Sequence, residues 1–409
     1  MHIAMLTDYY LPTLGGAQTS IKAQKEALQV LGHQVTVLCP LTEPNDNPDI
    51  IGLPTHPFIK PGGYPLPWSP RRVYKATLSA LQEIKPDIIH VHSEMFVAFA
   101  GIRAAHTLKI PLVQTMHGRL DVYMSKVLPV PTITTSIYER LHHRTMSHQG
   151  VHIKPGQPYT RTRAARNMWR SMVVQANTAD QVIVPSAHFA HKLQEQGVYK
   201  PLTIISNGIE PSITQALTHA EARQYDGTEP LRIMWCGRVS PEKRPLVFLG
   251  ALTQLKAPLQ VNMYGDGMAL NQVKEFIAHH QLEEKVTVHG GVPQSEVLTA
   301  MQENHVFVSS SHDFDNQPMV MLEAIATGLP IIYCDPDLAE VVPPAGALCT
   351  PNPHEQGLAH TLNRLASAPE MVQKLSQATL DERQRAQQTN FTDKLLAVYT
   401  AALENHTRP

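Results

Sequence analysis

The chain has almost no excess charge: 34 Lys and Arg stand against 35 Asp and Glu, a formal net charge of −1 over 409 residues. A general nucleic-acid binder carries a basic footprint, so the balance argues against that class. No run of about 18 apolar residues occurs, which argues against a transmembrane helix. The start, Met1-His2-Ile3-Ala4, lacks the charged and apolar segments of a signal peptide, so a cytoplasmic protein is expected. Cysteine is scarce: Cys39, Cys236, Cys334 and Cys349 are widely spaced and form no CxxC pair, the pattern of reduced core thiols. Charged residues make up 17% against 43% hydrophobic, a mixture that buries a core and does not read as disorder. At roughly 150 residues per domain the length allows two or three domains.

The neutral total hides an asymmetry. Residues 1–210 hold 20 Lys and Arg against 13 Asp and Glu, while the remainder holds 14 against 22. Only the first half is therefore expected to face something anionic. Short apolar runs alternate with helical patterns, the signature of parallel α/β domains. A first series of strands runs through His2–Thr7, Gln34–Leu38, Asp87–His92, Pro111–Thr115, Gln181–Val184 and Pro201–Ile205. A Pro-rich stretch, Pro54–Pro70, reads as too broken for regular structure. After Asn207-Gly208 the pattern restarts, with strands at Arg232–Trp235, Gln260–Tyr264, Val286–His289, Val306–Ser309 and Pro330–Tyr333. Two α/β domains are expected, over residues 1–208 and 209–385.

Ligands of open α/β sheets bind beyond the carboxyl ends of the strands, so the loops there carry the chemistry. Gly237-Arg238-Val239-Ser240-Pro241-Glu242-Lys243-Arg244 follows a strand directly, where Arg238 and Lys243 have the charge and reach to clamp a diphosphate. Two solvated surface cations are the plain alternative. Asp315 precedes a helix that carries Glu323, and the first N–H groups of that helix, at Met319, Val320 and Met321, make an anion site. Two carboxylates beside such a site suit hydroxyl donors of a sugar and a ribose. An N-capping Asp and a surface Glu are the alternative there.

The run GRVSPEKRP, then YGDG, then an acidic residue ahead of LEAIATGLPII, resembles glycosyltransferase family 4, the retaining nucleotide-sugar-dependent enzymes. The first half resembles it too, in YLPTLGGAQTSI, IIHVHSE, IPLVQTMHG and VIVPSAHFAHKL with IISNGIE. The resemblance implies a GT-B fold of two facing Rossmann-like domains, with a final helix, 386–409, crossing back to the first. It implies that Arg238 and Lys243 hold the donor diphosphate, that Glu323 accepts from the ribose, and that Gly15 and Gly16 let backbone approach the donor phosphate. His117 matches a family histidine near the donor sugar. Backbone around His289, Gly290 and Gly291 would contact the base, and Gly265 lies in a turn beside the nucleotide.

Two departures stand out. Asp315 replaces the usual Glu, one methylene shorter, and Asn316-Gln317-Pro318 replaces a Gly-Phe-Gly run, so Pro318 removes one N–H donor. Gln317 matches a Gln of the diacylglycerol glucosyltransferase branch. A double displacement needs a nucleophilic carboxylate about 5 Å from an acid partner. No obvious candidate is visible, so the resemblance implies a front-face retaining reaction. The donor is expected to be a UDP- or GDP-sugar, with no cofactor and no metal. Asp335-Pro336-Asp337 has the form of a metal-binding DxD but follows a strand where the family has a donor-contacting turn. His142, His143, His148 and His152 stand among Arg140, Arg144 and Lys154, which repel a cation.

For the acceptor, the segment from Arg140 to Ala179 holds Arg140, Arg144, Lys154, Arg161, Arg163, Arg166 and Arg170 and no acidic residue, interleaved with Met168, Trp169, Met172 and Val173. That character draws a monotopic enzyme to anionic lipid, and Tyr64, Leu66 and Trp68 would add apolar contact. A solvated helical face, or a patch for a phosphorylated acceptor, is the alternative. The reading is a hexosyltransferase acting on a membrane lipid or cell-envelope glycan, peripheral on the inner face of the membrane. A nucleotide-sugar epimerase of the same fold, and a catalytically degenerate sugar-nucleotide-binding protein, remain the other readings. A dinucleotide oxidoreductase is disfavoured because LPTLGGAQ, not GxGxxG, follows the first strand.

Overall fold

Short aliphatic runs become strands buried on both faces, as parallel sheets flanked by helices require. A computed structural model describes the chain except residues 11–14, 42–44, 59–64, 128–129 and 408–409, and except the side chains at 126, 127 and 407. Residues 11–14 of the first loop and Tyr64 therefore lie outside the described residues. The chain divides into two compact units, Met1–Ser206 with Phe391–Pro409, and Asn207–Asn390.

The first unit carries β1 (His2–Leu6), β2 (Gln34–Pro40), β3 (Ile50–Leu53), β4 (Ile88–Val91), β5 (Leu112–Thr115), β6 (Gln181–Val184) and β7 (Leu202–Ile204). Their order is β3-β2-β1-β4-β5-β6-β7, all parallel. The helices are α1 (Gly16–Val30), α2 (Pro70–Ile84), α3 (Phe96–Leu108), α4 (Leu120–Val127), α5 (Pro131–His143), α6 (Arg163–Thr178) and α7 (Ala187–Glu195). The described residues of the Pro-rich stretch on either side of 59–64 pair with one another. The His56 N–H donates to Leu66 O at 2.8 Å and the Trp68 N–H to Pro54 O at 3.1 Å. Directly after it α2 starts with a proline in its first turn, where no N–H is missed, and buries Val73, Thr77, Ala80 and Leu81 at helical spacing.

The second unit carries α8 (Pro211–Ala216), β8 (Leu231–Cys236), α9 (Pro245–Leu252), β9 (Leu259–Tyr264), α10 (Leu270–His279), β10 (Val286–Gly290) and α11 (Gln294–Glu303). It continues with β11 (Val306–Ser309), α12 (Met319–Thr327), β12 (Ile331–Tyr333), β13 (Ala347–Cys349), α13 (Glu355–Ala366) and α14 (Pro369–Asp381). The sheet is parallel in the order β10-β9-β8-β11-β12-β13. Strand order reverses beside β8, the switch point at which doubly wound sheets bind ligands. The last helix, α15 (Thr389–Thr407), packs Leu395, Val398, Tyr399 and Ala402 into the first unit's core beside β1 and β2. All four cysteines are free; Cys39 and Cys334 are buried and Cys349 is exposed. Among the described residues no helix is long and apolar enough to cross a membrane.

Candidate active site

In the second unit the loops after β8, β9 and β10 are laced together by backbone. The Gly237 N–H donates to Tyr264 O at 3.1 Å, the Val239 N–H to Asp266 O at 2.9 Å, and the Gly265 N–H to Gly290 O at 2.7 Å. Glycine makes this possible. At Gly265, with φ +129°, a Cβ would stand 1.9 Å from the Gly237 carbonyl oxygen. The result is a platform of close-packed backbone, edged by the His289 ring, which stacks on Tyr264 at 4.3 Å with 3° between planes. His289 Nε2 also lies 3.0 Å from Asn262 Oδ1.

On this platform Arg238 and Lys243 are each held by a carboxylate. Arg238 Nη2 donates to Glu242 Oε1 at 2.8 Å, and Ser240 Oγ donates to the same oxygen at 2.7 Å. Lys243 Nζ lies 2.6 Å from Asp315 Oδ1 and 5.4 Å from the centroid of the Phe314 ring. Of the two cations that the plain alternative left solvated, Lys243 is mostly buried and Arg238 is partly exposed while paired to Glu242. Asp315 is not the helix cap, which is Pro318.

The N–H groups of Met319 and Val320 open α12 and have no acceptor within the helix, whereas the Met321 N–H is taken by Pro318 O at 3.0 Å. The anion site expected there thus keeps two donors of three. Gln317 Oε1 accepts the Asn207 N–H at 2.6 Å, which ties it to the backbone. Glu323 is buried, not a surface residue, and accepts from Gln294 Nε2 at 2.7 Å. Burial pushes its carboxyl up to about 7. Asp335 accepts the backbone N–H groups of Asp313 and Asp337, at 2.7 and 3.1 Å, so it caps the turn that the DxD form suggested as a metal site.

In the first unit Gly15 caps α1 in extended conformation and Gly16 opens the helix. His117 follows β5. Its backbone N–H donates to Glu94 Oε1 at 3.1 Å, and its Nε2 lies 3.0 Å from His92 Nδ1 with the rings stacked. Burial lowers His117 to about 4, so it is a neutral imidazole at pH 7, and raises Glu94 to about 8. Asp8, after β1, is buried too, and its Oδ1 accepts the Val97 N–H at 2.8 Å at the start of α3. Sequence reading missed Asp8, Glu94, His92, Glu242 and Gln294. Glu94 and His92 carried a signal, since both lie in HVHSE, and so did Glu242, which lies in GRVSPEKRP; Asp8 and Gln294 carried none.

The basic segment divides. Arg140, Arg144, Arg161 and Arg163 are exposed. Arg166 Nη1 donates to the carbonyls of Thr160 and Arg161, at 3.1 and 2.9 Å, and Arg170 pairs with Glu139. Trp169 is 0% exposed, packed between Tyr159 and Phe189, and Met168, Met172 and Val173 are buried with it. The expectation that Trp169 meets a membrane is therefore wrong: α6 spends its apolar face on the core. Trp169→Ala is expected to cost about 3–5 kcal/mol of stability, read by denaturant unfolding, because it empties a core site of its largest side chain. A loss within 0.5 kcal/mol, about the level of a surface substitution, would contradict that placement.

Residues 14–213 match Glycosyltransferase Family 4, and residues 220–382 match Glycosyl transferases group 1. The α-monoglucosyldiacylglycerol synthase of Streptococcus pneumoniae is 27% identical over 352 residues, 81% of this chain and 70% of that protein. The GDP-mannose-dependent α-mannosyltransferase of Mycobacterium tuberculosis is 24% identical, over 82% of this chain and 79% of its own. The crystal structure of Anabaena HepE with UDP and glucose aligns with TM-score 0.69 at 15% identity, covering 98% of this chain and 100% of that one. That last likeness establishes the fold, two Rossmann-like units of the GT-B class. On the two family matches, which take in almost the whole chain between them, the protein belongs to glycosyltransferase family 4 and is a sugar-transferring enzyme.

Proposed function

We propose that the protein moves a hexose from a UDP- or GDP-sugar to the hydroxyl of a membrane lipid, with retention of anomeric configuration. The observation that carries the donor half is the ammonium of Lys243 held at a switch-point strand end beside two unspent helix N–H groups. A diphosphate needs such cations and donors. In this reading Arg238 and Lys243 neutralise the charge that grows on the departing diphosphate. The anomeric C–O bond breaks, the acceptor oxygen bonds to the same face, and its proton passes to the leaving diphosphate. His117, neutral, orients the donor sugar by hydrogen bonding. No metal takes part. Asp315 positions Lys243 as its ion-pair partner. The mycobacterial relative is GDP-mannose-dependent, the Anabaena structure of the same fold holds UDP, and the lipid acceptor follows the synthase relative named above.

Glu323 supplies a test. Ribose hydroxyls donate best to an ionised carboxylate, so the occupied site favours the deprotonated form of a group that titrates at about 7. Affinity for the nucleotide sugar, whose diphosphate does not titrate in this range, therefore rises with pH and levels off above about 7. Binding about tenfold weaker at pH 6 than at pH 8 is expected, and Glu323→Gln should flatten the profile. A flat wild-type profile would remove Glu323 from the ribose site; no binding of any UDP- or GDP-hexose would sink the donor reading.

A further inference from the structure

Two neighbouring strands of the first unit, β4 and β5, run out into histidines. Alternate residues of a strand point to one face, so His90 and His92, at and just past the end of β4, share a side. Thr115 and His117 do the same on β5, which pairs with β4, and the four side chains meet. His90 Nδ1 lies 2.7 Å from the Tyr399 hydroxyl of α15, and its Nε2 lies 2.7 Å from Thr115 Oγ1. Pinned at both nitrogens, that ring packs against His92 with 3.8 Å between centroids. The His92 backbone N–H donates to Leu6 O at 2.8 Å. The His92 ring is therefore held in place before any ligand arrives.

His92 is 1% exposed, and its Nδ1 lies 3.0 Å from His117 Nε2. Its own Nε2 makes no hydrogen bond among the described residues. Burial, then the neighbouring His90 and His117, hold His92 well below the ordinary imidazole value, and burial holds His117 at about 4. Both rings are thus neutral at pH 7, and one hydrogen serves the two facing nitrogens. If it belonged to His117, the His92 hydrogen would sit on Nε2, a buried N–H with no acceptor. If it belongs to His92, Nε2 is only a bare ring nitrogen, the less costly orphan. His117 then carries its own hydrogen on Nδ1. It is partly exposed, so it can reach a ligand where His92 cannot.

We propose that His92 is a positioning residue for the transfer: its Nδ1–H donates to His117 Nε2, which makes His117 a donor, through Nδ1–H, to a hydroxyl oxygen of the donor hexose. This deepens the donor reading above and rests on it. A ring free to choose its tautomer would present that donor only part of the time and would hold the sugar more weakly in proportion.

The test uses the full chain, with UDP-glucose and GDP-mannose as probes and free UDP and GDP as controls. Nitrogen-15 NMR of histidine-labelled protein, assigned through the His117→Gln spectrum, reads the tautomer without reference to activity. At pH 7 the wild type should show a bare Nε2 and a protonated Nδ1 at His117. His92→Leu removes the donor. It should move His117 towards the Nε2–H form, keep the affinity for free nucleotide, and release nucleotide from the nucleotide sugar about tenfold more slowly. His92→Asn, whose amide N–H can stand in for Nδ1–H, should recover most of both the tautomer and the turnover. A wild-type His117 protonated at Nε2, or wild-type turnover by His92→Leu, would overturn the proposal and leave the donor site standing. Equal losses in His92→Leu and His92→Asn would reduce His92 to packing and overturn it as well. Should His92→Leu not fold, the wild-type spectrum and His92→Asn still decide. A wild type that neither binds nor turns over either nucleotide sugar brings down the donor reading and this inference with it.

Discussion

Lys243→Ala is expected to lower kcat by about 10²–10³-fold, the usual effect of deleting one preorganised donor from a site where negative charge develops. The ammonium lies 2.6 Å from Asp315 Oδ1 and is mostly buried, so its position is fixed before any ligand arrives. Removing it has a second effect, since it leaves the Asp315 carboxylate without its cation, repelling a diphosphate. The double variant Lys243→Ala with Asp315→Asn separates the two. It should recover part of the nucleotide affinity lost by Lys243→Ala and none of the kcat. Lys243→Arg keeps the charge but replaces a point donor by a planar fork, so an intermediate loss is expected. Near wild-type turnover in Lys243→Ala would contradict the role.

Gly265→Ala should be the most damaging single substitution at the donor platform. A Cβ there would overlap the Gly237 carbonyl oxygen at 1.9 Å, and backbone cannot swing aside as a flexible side chain would. With φ at +129° the conformation itself disfavours any L side chain. A loss of about 4 kcal/mol or more is expected, at the exceptional end for single substitutions. Nucleotide-sugar stabilisation should vanish along with it. Gly290, also at positive φ but with nothing within 4 Å of its Cβ position, serves as the control: Gly290→Ala should cost far less. Equal losses at the two positions would show that conformation alone, and not the close approach of the loops, matters here.

These two cases also show what was legible in the sequence. The parallel α/β pattern was readable because its strands are continuous aliphatic runs, buried on both faces, and its longer helices have a clear period. The edge strands β3 and β13 were not read, since Ile50–Leu53 is interrupted by a glycine and Ala347–Cys349 holds a single branched aliphatic residue, so neither stands out as a continuous aliphatic run. Helix α2 was hidden by the proline-rich loop that runs straight into it, although its buried positions are spaced as a helix requires.

At the site, type and position picked out Arg238, Lys243 and Glu323 as candidates, and the family resemblance implied their roles. The partner of Glu323 was not legible. Gln294 reaches Glu323 from another helix, 29 residues away in sequence. Trp169 shows the opposite failure. A tryptophan among arginines has the composition of a membrane face, yet α6 turns it inward and leaves the exposed apolar stripe to Ile133 and Ile137 on α5. Composition records which residues are present but not the face on which each lands. Asp8 had no local signal at all, because its burial depends on α3 and β4 meeting it from elsewhere in the chain.

The central claim is transfer with retention from a nucleotide sugar to a lipid hydroxyl. It is tested most directly by incubating the full chain with anomeric-carbon-labelled UDP-glucose and GDP-mannose and vesicles containing a diacylglycerol, then resolving the lipid extract by NMR. The account predicts label in the lipid fraction from one donor, as the α-anomer, in proportion to the nucleotide diphosphate released. A β-linked product would contradict retention. Release of nucleotide with the label remaining in water, or no release from either donor, would contradict transfer to lipid.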